Sequence, residues 1–196
     1  MASHRASDPR RRSILEAALK SFAADGYDGA SIEEICDISG ASVGSLYHHF
    51  GSKEGLAAAV YEEGIISYQA DLLTILSAGG PPDIVVAKIV RHHLLWVRRN
   101  PGWARYLLQM GAAPATAAAR PSVRQRNGEL IRHLENWSAS PAAAGRVIDV
   151  PPPTLVALLL GPCHAVARAW LAGGTDLDDA TIELIAAATL RSVSPE

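Results

Sequence analysis

Cysteine is scarce in this 196-residue chain, and its two cysteines, Cys36 and Cys163, lie far apart within apolar segments. No Cys-x-x-Cys pair and no His/Cys ligand spacing occurs, so the sequence predicts no metal site. We expect two buried thiols in a reducing cytoplasm rather than a disulfide. The chain also lacks an uninterrupted apolar run of about 18 residues and a signal-peptide pattern, so we expect no membrane span and no membrane partner.

Sequence signatures of common enzymes are missing as well. The chain has no glycine-rich phosphate loop and no Gly-x-Ser-x-Gly elbow. Its adjacent acidic pairs, Glu33-Glu34, Glu62-Glu63 and Asp178-Asp179, lie at helix starts or on helix faces, where they act as caps and solvated groups. The sequence therefore predicts neither an enzyme nor a cofactor.

Helix-forming patterns fill the chain, and no segment alternates like a strand. Hydrophobic residues make up 48% of the sequence, and many are alanine, which favours helix. Asp8-Pro9, Gly79-Gly80-Pro81-Pro82, Asn100-Pro101-Gly102 and Pro151-Pro152-Pro153 mark helix starts or breaks. The patterns predict an all-α protein with helices near 9–24, 32–39, 43–50, 53–76, 83–99, 101–110, 121–138, 154–171 and 178–193. The order of residues 111–120 and 139–153 is left open.

Residues 31–50 are the most informative segment. Ser31 and Glu34 form a Ser-x-x-Glu capping box, so a short helix is expected to start at Ile32. Gly40 can adopt a positive φ and end that helix, and Ser42 can cap the next one. The second helix has inward-pointing Leu46 and Phe50 and otherwise small or polar residues. Two short helices around a glycine turn, the second with a polar outer face, are typical of a DNA-binding helix-turn-helix.

This segment resembles a known family. The spacing Gly44-x-Leu46-Tyr47-x-His49-Phe50-x-x-Lys53-x-x-Leu56 follows a helix that ends in Phe22-x-x-x-Gly26-Tyr27, and the whole is similar to the DNA-binding domain of TetR-family transcriptional regulators. The resemblance covers residues 10–56. It implies a three-helix DNA-binding domain over residues 1–52 and a larger helical effector-binding and dimerisation domain over residues 53–196. It also implies a homodimeric, cytoplasmic repressor that a small-molecule effector releases from double-stranded operator DNA.

Position by position, the resemblance carries DNA contacts to one set of residues: Ser31, Ser42, Val43, Gly44, Ser45, Tyr47, His48, His49 and Lys53. Ser31 and Ser42 start helices, where free N–H groups favour phosphate. Tyr47 and Lys53 can reach phosphates, and Ser45 and His48 can reach base edges. The recognition helix has no Arg, Lys, Asn or Gln, which gives phosphate contacts and DNA shape more weight. Adjacent residues on a helix diverge, so His48 and His49 are not expected to chelate one metal ion.

Charge is unevenly distributed although the chain carries a net charge of only −2. Arg5, Arg10, Arg11 and Arg12 form a basic N-terminal arm, for which we expect phosphate or minor-groove contacts. A second basic block runs from Lys88 to Arg132, with Glu129 as its only acidic residue. Two interpretations of this block remain open, a solvated face or an attraction for an anionic ligand such as an acyl thioester or carboxylate.

The expected effector-binding domain over residues 53–196 offers candidate residues for the effector site but no motif. They are the aromatic, sulfur and imidazole side chains of Trp96, Trp103, Tyr106, Met110, Trp137, Cys163, His164 and Trp170. The same residues fit an ordinary core. Pro162 interrupts an apolar helix and is expected to kink it, which suits a pocket wall or a bent dimer interface.

The last two helices carry the best dimer pattern. Its members are Leu155, Leu158, Leu159, Val166, Ile182, Ile185, Ala186, Thr189 and Val193. Two-fold symmetry would place two recognition helices about one DNA turn apart. The alternative for the whole chain is a helical ligand-binding or interaction protein without DNA-binding activity.

Overall fold

A computed structural model describes residues 8–195. Those residues contain helices and no strand, which confirms the predicted all-α class. The helices are α1 (Pro9–Gly29), α2 (Ile32–Ser39), α3 (Val43–Phe50), α4 (Lys53–Ala78), α5 (Pro82–Arg99), α6 (Pro101–Met110), α7 (Arg120–Ser138), α8 (Pro152–Leu171) and α9 (Asp179–Val193), with a 3-10 helix at Pro114–Ala119.

The helix ends follow the predicted capping chemistry. The Asp8 carboxylate accepts the N–H of Arg10 at 2.9 Å, with Pro9 at the first helical position of α1. α1 extends to Gly29, beyond its predicted end near residue 24, because it continues after a break at Gly26, whose φ is 73°. Asp178 caps α9 by accepting the N–H of Thr181 at 2.8 Å.

The described residues fall into two compact units. The first consists of the chain up to Ile65 together with Gly102–Val123, and the second consists of Ile66–Pro101 together with the chain from Arg124 onward. The division differs from the boundary expected after residue 52, which stays a prediction about domains. In the first unit, α1, α2 and α3 pack around Ile14, Phe22 and Leu46, and Tyr106 of α6 joins the same core.

In the second unit, α5, α8 and α9 pack against one another. The α4–α5 loop is held by Trp137 of α7, whose indole N–H donates to the Gly80 carbonyl at 2.9 Å. α8 runs through Pro162 without ending, so the expected kink stays a prediction. The segment 111–120, whose order the sequence did not decide, contains the 3-10 helix. The Thr116 hydroxyl in this helix donates to the Met110 carbonyl.

α8 corrects one expectation about apolar length. Among the described residues it is the one helix that is long and apolar enough, by length and composition alone, to cross a membrane. The search for an uninterrupted apolar run overlooked it because His164 and Arg168 lie within it. Only 22% of its most apolar window is buried, although the helix packs against α5 and α9. Its buried residues are Leu155, Leu159, Cys163 and Ala167, and the rest of the helix is half-buried or exposed.

Candidate functional site

α2 and α3 form a rigid helix-turn-helix. The Ser31 hydroxyl accepts the N–H of Glu34 at 3.0 Å, and the Ser42 hydroxyl accepts the N–H of Ser45 at 3.2 Å. Gly40 between them has a φ of 64° and a ψ of 21°, the left-handed conformation that the sequence predicted. Leu46 is fully buried and anchors α3 to the core of the first unit. Each end of the short recognition helix is thus defined by local chemistry.

The outer face of α3 is exposed where the sequence predicted DNA contacts. Val43 is 42% exposed and Tyr47 is 44% exposed, and Gly44 and His48 are also exposed. A Cβ atom built on Gly44 would have no neighbour within 4 Å, so nothing inside the protein requires glycine there. Ser45 is only half-exposed. The roles of these residues in DNA binding stay predictions.

The arginines of the basic arm lie where the predicted helix start places them. Arg10, Arg11 and Arg12 are in the first turn of α1, and their DNA contacts stay a prediction. The Arg10 guanidinium donates to the Gly40 carbonyl at 2.7 Å, and the Arg11 guanidinium lies 5.4 Å from the centre of the Phe50 ring. These two cations therefore brace the helix-turn-helix, because the Asp8 cap and Pro9 start the helix just before them. Arg12 is exposed, and Arg5 lies outside the described residues.

His49 is also engaged within the protein. Its Nε2 atom lies 3.5 Å from the Asp8 carboxylate, which connects the end of α3 to the start of α1. The His48 and His49 rings meet edge to face at 5.5 Å. No group of three or more potential metal-ligating side chains exists among the described residues.

Lys53 has a support that the motif alone did not reveal. Its ammonium lies 4.7 Å from the centre of the Tyr27 ring, at the N-terminus of α4. Tyr27 is in turn hydrogen-bonded to Glu54, and burial together with this carboxylate raises the pKa of Tyr27. The aromatic ring therefore positions the Lys53 ammonium beside α3. In the sequence, this support of Lys53 was indicated only by an aromatic residue, Tyr27, directly after Gly26.

The eight candidate effector contacts are divided between the two units. Trp103, Tyr106 and Met110 belong to the first unit. There Tyr106 stacks on Phe22 at 5.6 Å and donates its hydroxyl to the Ala57 carbonyl at 2.8 Å, which is a core role. Trp103 packs against α4, since a Cβ built on Gly64 would meet its ring at 2.7 Å. As ligand contacts, these three residues stay a prediction that their positions do not favour.

The other five candidates lie in the second unit. Trp96 is buried edge-on to Tyr68 at 5.3 Å, and His164 lies edge-on to His93 at 4.9 Å. Burial raises the pKa of the Cys163 thiol to about 12, so this thiol is protonated and inert. The Trp137 indole N–H donates to the Gly80 carbonyl, and Trp170 is half-buried on α8.

An apolar cleft lies among α4, α5, α7 and α8 of the second unit. It is narrow, with about 30 Å³ of free space, and its lining contains no polar residue. The lining consists of Leu72, Leu76, Ile89, Leu130, Leu134, Val156, Leu159 and Leu160. The sequence analysis did not identify this cleft, because leucines on four separate helices carry no local signal.

Comparisons with known proteins agree with the geometry of both units. Residues 14–60 match the family model "Bacterial regulatory proteins, tetR family". The chain is 43% identical over 53 residues to the HTH-type transcriptional repressor AcnR of Corynebacterium glutamicum, a match over 27% of this chain and 28% of that protein. The chain thus spans about a quarter of the length of this curated relative.

Solved structures extend the similarity of fold to nearly the whole chain. A TetR family transcription regulator from Marinobacter aquaeolei VT8 superposes with a TM-score of 0.79 at 21% identity, over 97% of this chain and 98% of that one. The transcriptional regulator FadR from Bacillus subtilis, solved in complex with stearoyl-CoA, superposes with a TM-score of 0.76 at 14% identity, over 93% of this chain and 98% of that one.

Proposed function

The chain belongs to the TetR family of transcriptional regulators, and we propose that it is a repressor that an apolar or amphipathic small molecule releases from its operator. The family consists of regulators and not enzymes, which agrees with the expectation from the sequence. The observation that carries the proposal is the exposed outer face of α3 on a capped, buried-anchored helix-turn-helix.

The DNA-binding step follows from the chemistry of that face. Gly44 lets the backbone of α3 come close to DNA, and the Val43 methyl groups can contact a thymine methyl group. Tyr47 offers an exposed hydroxyl to phosphate, and Lys53 offers an ammonium held over the Tyr27 ring. His48 is the exposed side chain on α3 best suited to a base edge.

Positive charge near α3 is limited, so we expect the helix-turn-helix to bind DNA through few phosphate contacts. Arg10 and Arg12 are both exposed in the first turn of α1, but the Arg10 guanidinium donates to the Gly40 carbonyl and the Arg11 guanidinium lies over the Phe50 ring. The N-termini of α2 and α3, at Ser31 and Ser42, add backbone N–H groups for phosphate. A single head of this kind binds weakly, which favours a homodimer on a two-fold operator.

The effector step rests on the apolar cleft of the second unit. Eight aliphatic side chains line it, so burial of a hydrocarbon group there is favourable by roughly 25 cal/mol per Å². FadR, which shares the fold, was solved with stearoyl-CoA, a molecule with a long acyl chain. The aliphatic lining supports an effector with a hydrocarbon part, for which the narrow cleft has to open, and a cytoplasmic regulator would meet such molecules as metabolites.

Sequencing genomic fragments captured by the purified full chain tests the DNA-binding proposal. We expect enrichment of fragments that share a two-fold site, and a gel shift with that site that survives excess random DNA. The variant Tyr47→Phe should weaken the shift. Equal capture of all fragments would contradict sequence-specific binding and would favour the alternative of a helical protein without a DNA-binding role.

A further inference from the structure

A layer of polar side chains lies one helical turn beyond the apolar cleft. We define the polar layer as Tyr68, Gln69, His93, Asn127 and His164. Residues three or four apart lie on the same face of a helix, so each helix that lines the cleft carries one of these side chains in register with a cleft residue. The pairs are Tyr68 with Leu72 on α4, His93 with Ile89 on α5, Asn127 with Leu130 on α7, and His164 with Leu160 on α8.

Contacts between the helices join this polar layer. The Tyr68 hydroxyl lies 2.7 Å from Nδ1 of His93, and the His93 ring meets the His164 ring at 4.9 Å. The Gln69 amide donates to Oδ1 of Asn127 at 2.7 Å. The polar layer thus connects α4 with α5 and α7, and α5 with α8, which are the helices around the cleft.

Two buried atoms of the polar layer have no hydrogen-bond partner. They are Nε2 of His93 and Oε1 of Gln69, and both side chains are only 4% exposed. The Tyr68 hydroxyl can donate to Nδ1 of His93, and in that arrangement the imidazole proton resides on Nε2. The polar layer therefore presents one unpaired N–H donor and one unpaired amide atom. Buried groups of this kind cost stability unless something pairs with them.

The polar layer contains no charged side chain. Burial keeps the pKa of His93 low, so its imidazole is neutral. The charged groups that act on these imidazoles and on the neighbouring His92 lie outside the polar layer: Asp71 is 3.6 Å from Nδ1 of His92, Arg99 also acts on His92, and Arg168 is one turn from His164 on α8. A buried carboxylate or phosphate next to His93 would have no cation within the polar layer to compensate its desolvation.

We propose that the polar layer binds the uncharged hydrogen-bonding head group of an amphipathic effector, whose hydrocarbon part enters the leucine-lined cleft as its aliphatic side chains move apart. This inference rests on the proposed effector function. The expected head group is a ketone, ester or alcohol oxygen, which accepts from Nε2 of His93. A hydroxyl can also donate to the Gln69 amide oxygen. The same chemistry disfavours fatty carboxylates, which the basic block from Lys88 to Arg132 had left open.

A probe series of equal chain length tests the head-group preference. The full chain is titrated with 2-nonanone, 1-nonanol, nonanoate and nonyltrimethylammonium, and tryptophan emission is followed. Trp96 packs on Tyr68, so occupation of the polar layer should change this signal. We expect the ketone and the alcohol to bind at least about tenfold more tightly than either ion. Equal affinity for nonanoate, or no binding by any probe, would overturn the proposal.

Two variants assign the preference to the polar layer. Gln69→Leu and His93→Phe should each weaken 1-nonanol binding about tenfold or more, since each removes one hydrogen bond to the head group. Gln125→Leu is the matched control, because Gln125 is exposed on α7, and it should bind the probes like the unmodified chain. If His93→Phe fails to fold, Gln69→Leu and the probe series still decide. Unchanged 1-nonanol affinity in Gln69→Leu would overturn the proposal.

Operator binding without any probe separates this inference from the proposed function. A chain that shifts its operator and binds all four probes alike refutes only the head-group assignment. A chain that binds no specific DNA refutes the proposed regulator, whatever the probes do.

Discussion

Gly44 is the residue where fold and function make opposite demands. It lies within α3, where glycine costs roughly 0.5–1 kcal/mol relative to alanine. A Cβ atom there would meet nothing within 4 Å inside the protein. The protein therefore gives up helix stability at a position where its own packing would accept a side chain. Close approach of DNA backbone to α3 is the reason that we propose.

The variant Gly44→Ala tests this reason. We expect the free energy of unfolding to rise by about 0.5–1 kcal/mol, because alanine favours helix, while operator affinity falls at least about tenfold. Gly128→Ala is the matched control in α7, where a Cβ would make only an ordinary contact with Arg132 at 3.7 Å. It should gain stability and leave operator affinity unchanged. A stabilised Gly44→Ala chain with full operator affinity would contradict the proposed approach.

The side chains of α3 separate phosphate contacts from base contacts. Tyr47→Phe should weaken binding to operator and random DNA alike, because a lost phosphate contact is independent of sequence, and it should leave the dependence on salt unchanged, because the hydroxyl is uncharged. His48→Ala should instead change which operator variants bind best. Gel shifts with operator and random DNA at several salt concentrations measure both effects. The same loss on both DNAs for His48→Ala would show that this side chain reads no base.

Among the elements, the two short helices α2 and α3 were the most predictable. Ser31, Gly40 and Ser42 specify the ends of α2 and α3 through local hydrogen bonds and one left-handed turn, and the structure confirms them. The helix start at Asp8-Pro9, which contains Arg10, Arg11 and Arg12, was also predicted, and the DNA contacts of these arginines stay a prediction. The partners of Arg10 and His49, which are Gly40 and Asp8, are distant in sequence.

The proposed effector site was much less predictable. Its cleft and polar layer are assembled from four helices, and no spacing along the sequence indicates that these residues lie together. Aromatic residues attracted the prediction because they are conspicuous, yet Tyr106 and Met110 lie in the core of the first unit. His93 resembled an ordinary histidine in an apolar helix, and only its burial and its unpaired Nε2 distinguish it.

His93 of α5 gives an element-scale prediction about acid stability. Burial, and then the neighbouring His164 and His92, lower the pKa of His93 from 6.5 to about 3. Between these values the unfolded chain binds more protons than the folded chain, so the free energy of unfolding decreases as the pH falls. This single group contributes at most about 1.4 kcal/mol for each pH unit in that window. The contribution is complete above pH 6.5 and lost toward pH 3.

Urea unfolding at pH 7, 6 and 5 checks this dependence. His93→Gln should show a smaller loss of unfolding free energy between pH 7 and 5 than the unmodified chain. Some loss should remain, because burial also lowers the pKa values of His92 and His164. His48→Gln is the control, since His48 is exposed, and its pH dependence should match that of the unmodified chain. If the free energy of unfolding changes with pH equally in His93→Gln and His48→Gln, His93 does not cause the loss of stability at low pH.

At the scale of the whole molecule, the residues that we predict at the dimer surface have to change. Several members of the predicted pattern on α8 and α9 are buried within one protomer: Leu155, Leu159, Ile182, Ala186, Thr189 and Val193. Their apolar spacing reflects packing among α5, α8 and α9. A truncation after Gly174 would therefore remove core as well as interface. The uncovered apolar residues of the same helices, above all Leu184 at 64% exposure, are the better candidates for a homodimer.

The variant Leu184→Glu tests the homodimer at that surface. Two carboxylates, one from each protomer, would be buried near the two-fold axis without a partner, so we expect a monomer by light scattering. A monomer presents one head, and its operator affinity should fall by about two orders of magnitude or more, because the second head no longer binds at high effective concentration. Ile84→Glu is the matched control, since Ile84 is 46% exposed on α5, and it should leave mass and operator affinity unchanged. If Leu184→Glu remains a dimer that binds its operator normally, the α9 surface is not the interface, and the two-fold contact has to lie on another face of the protein.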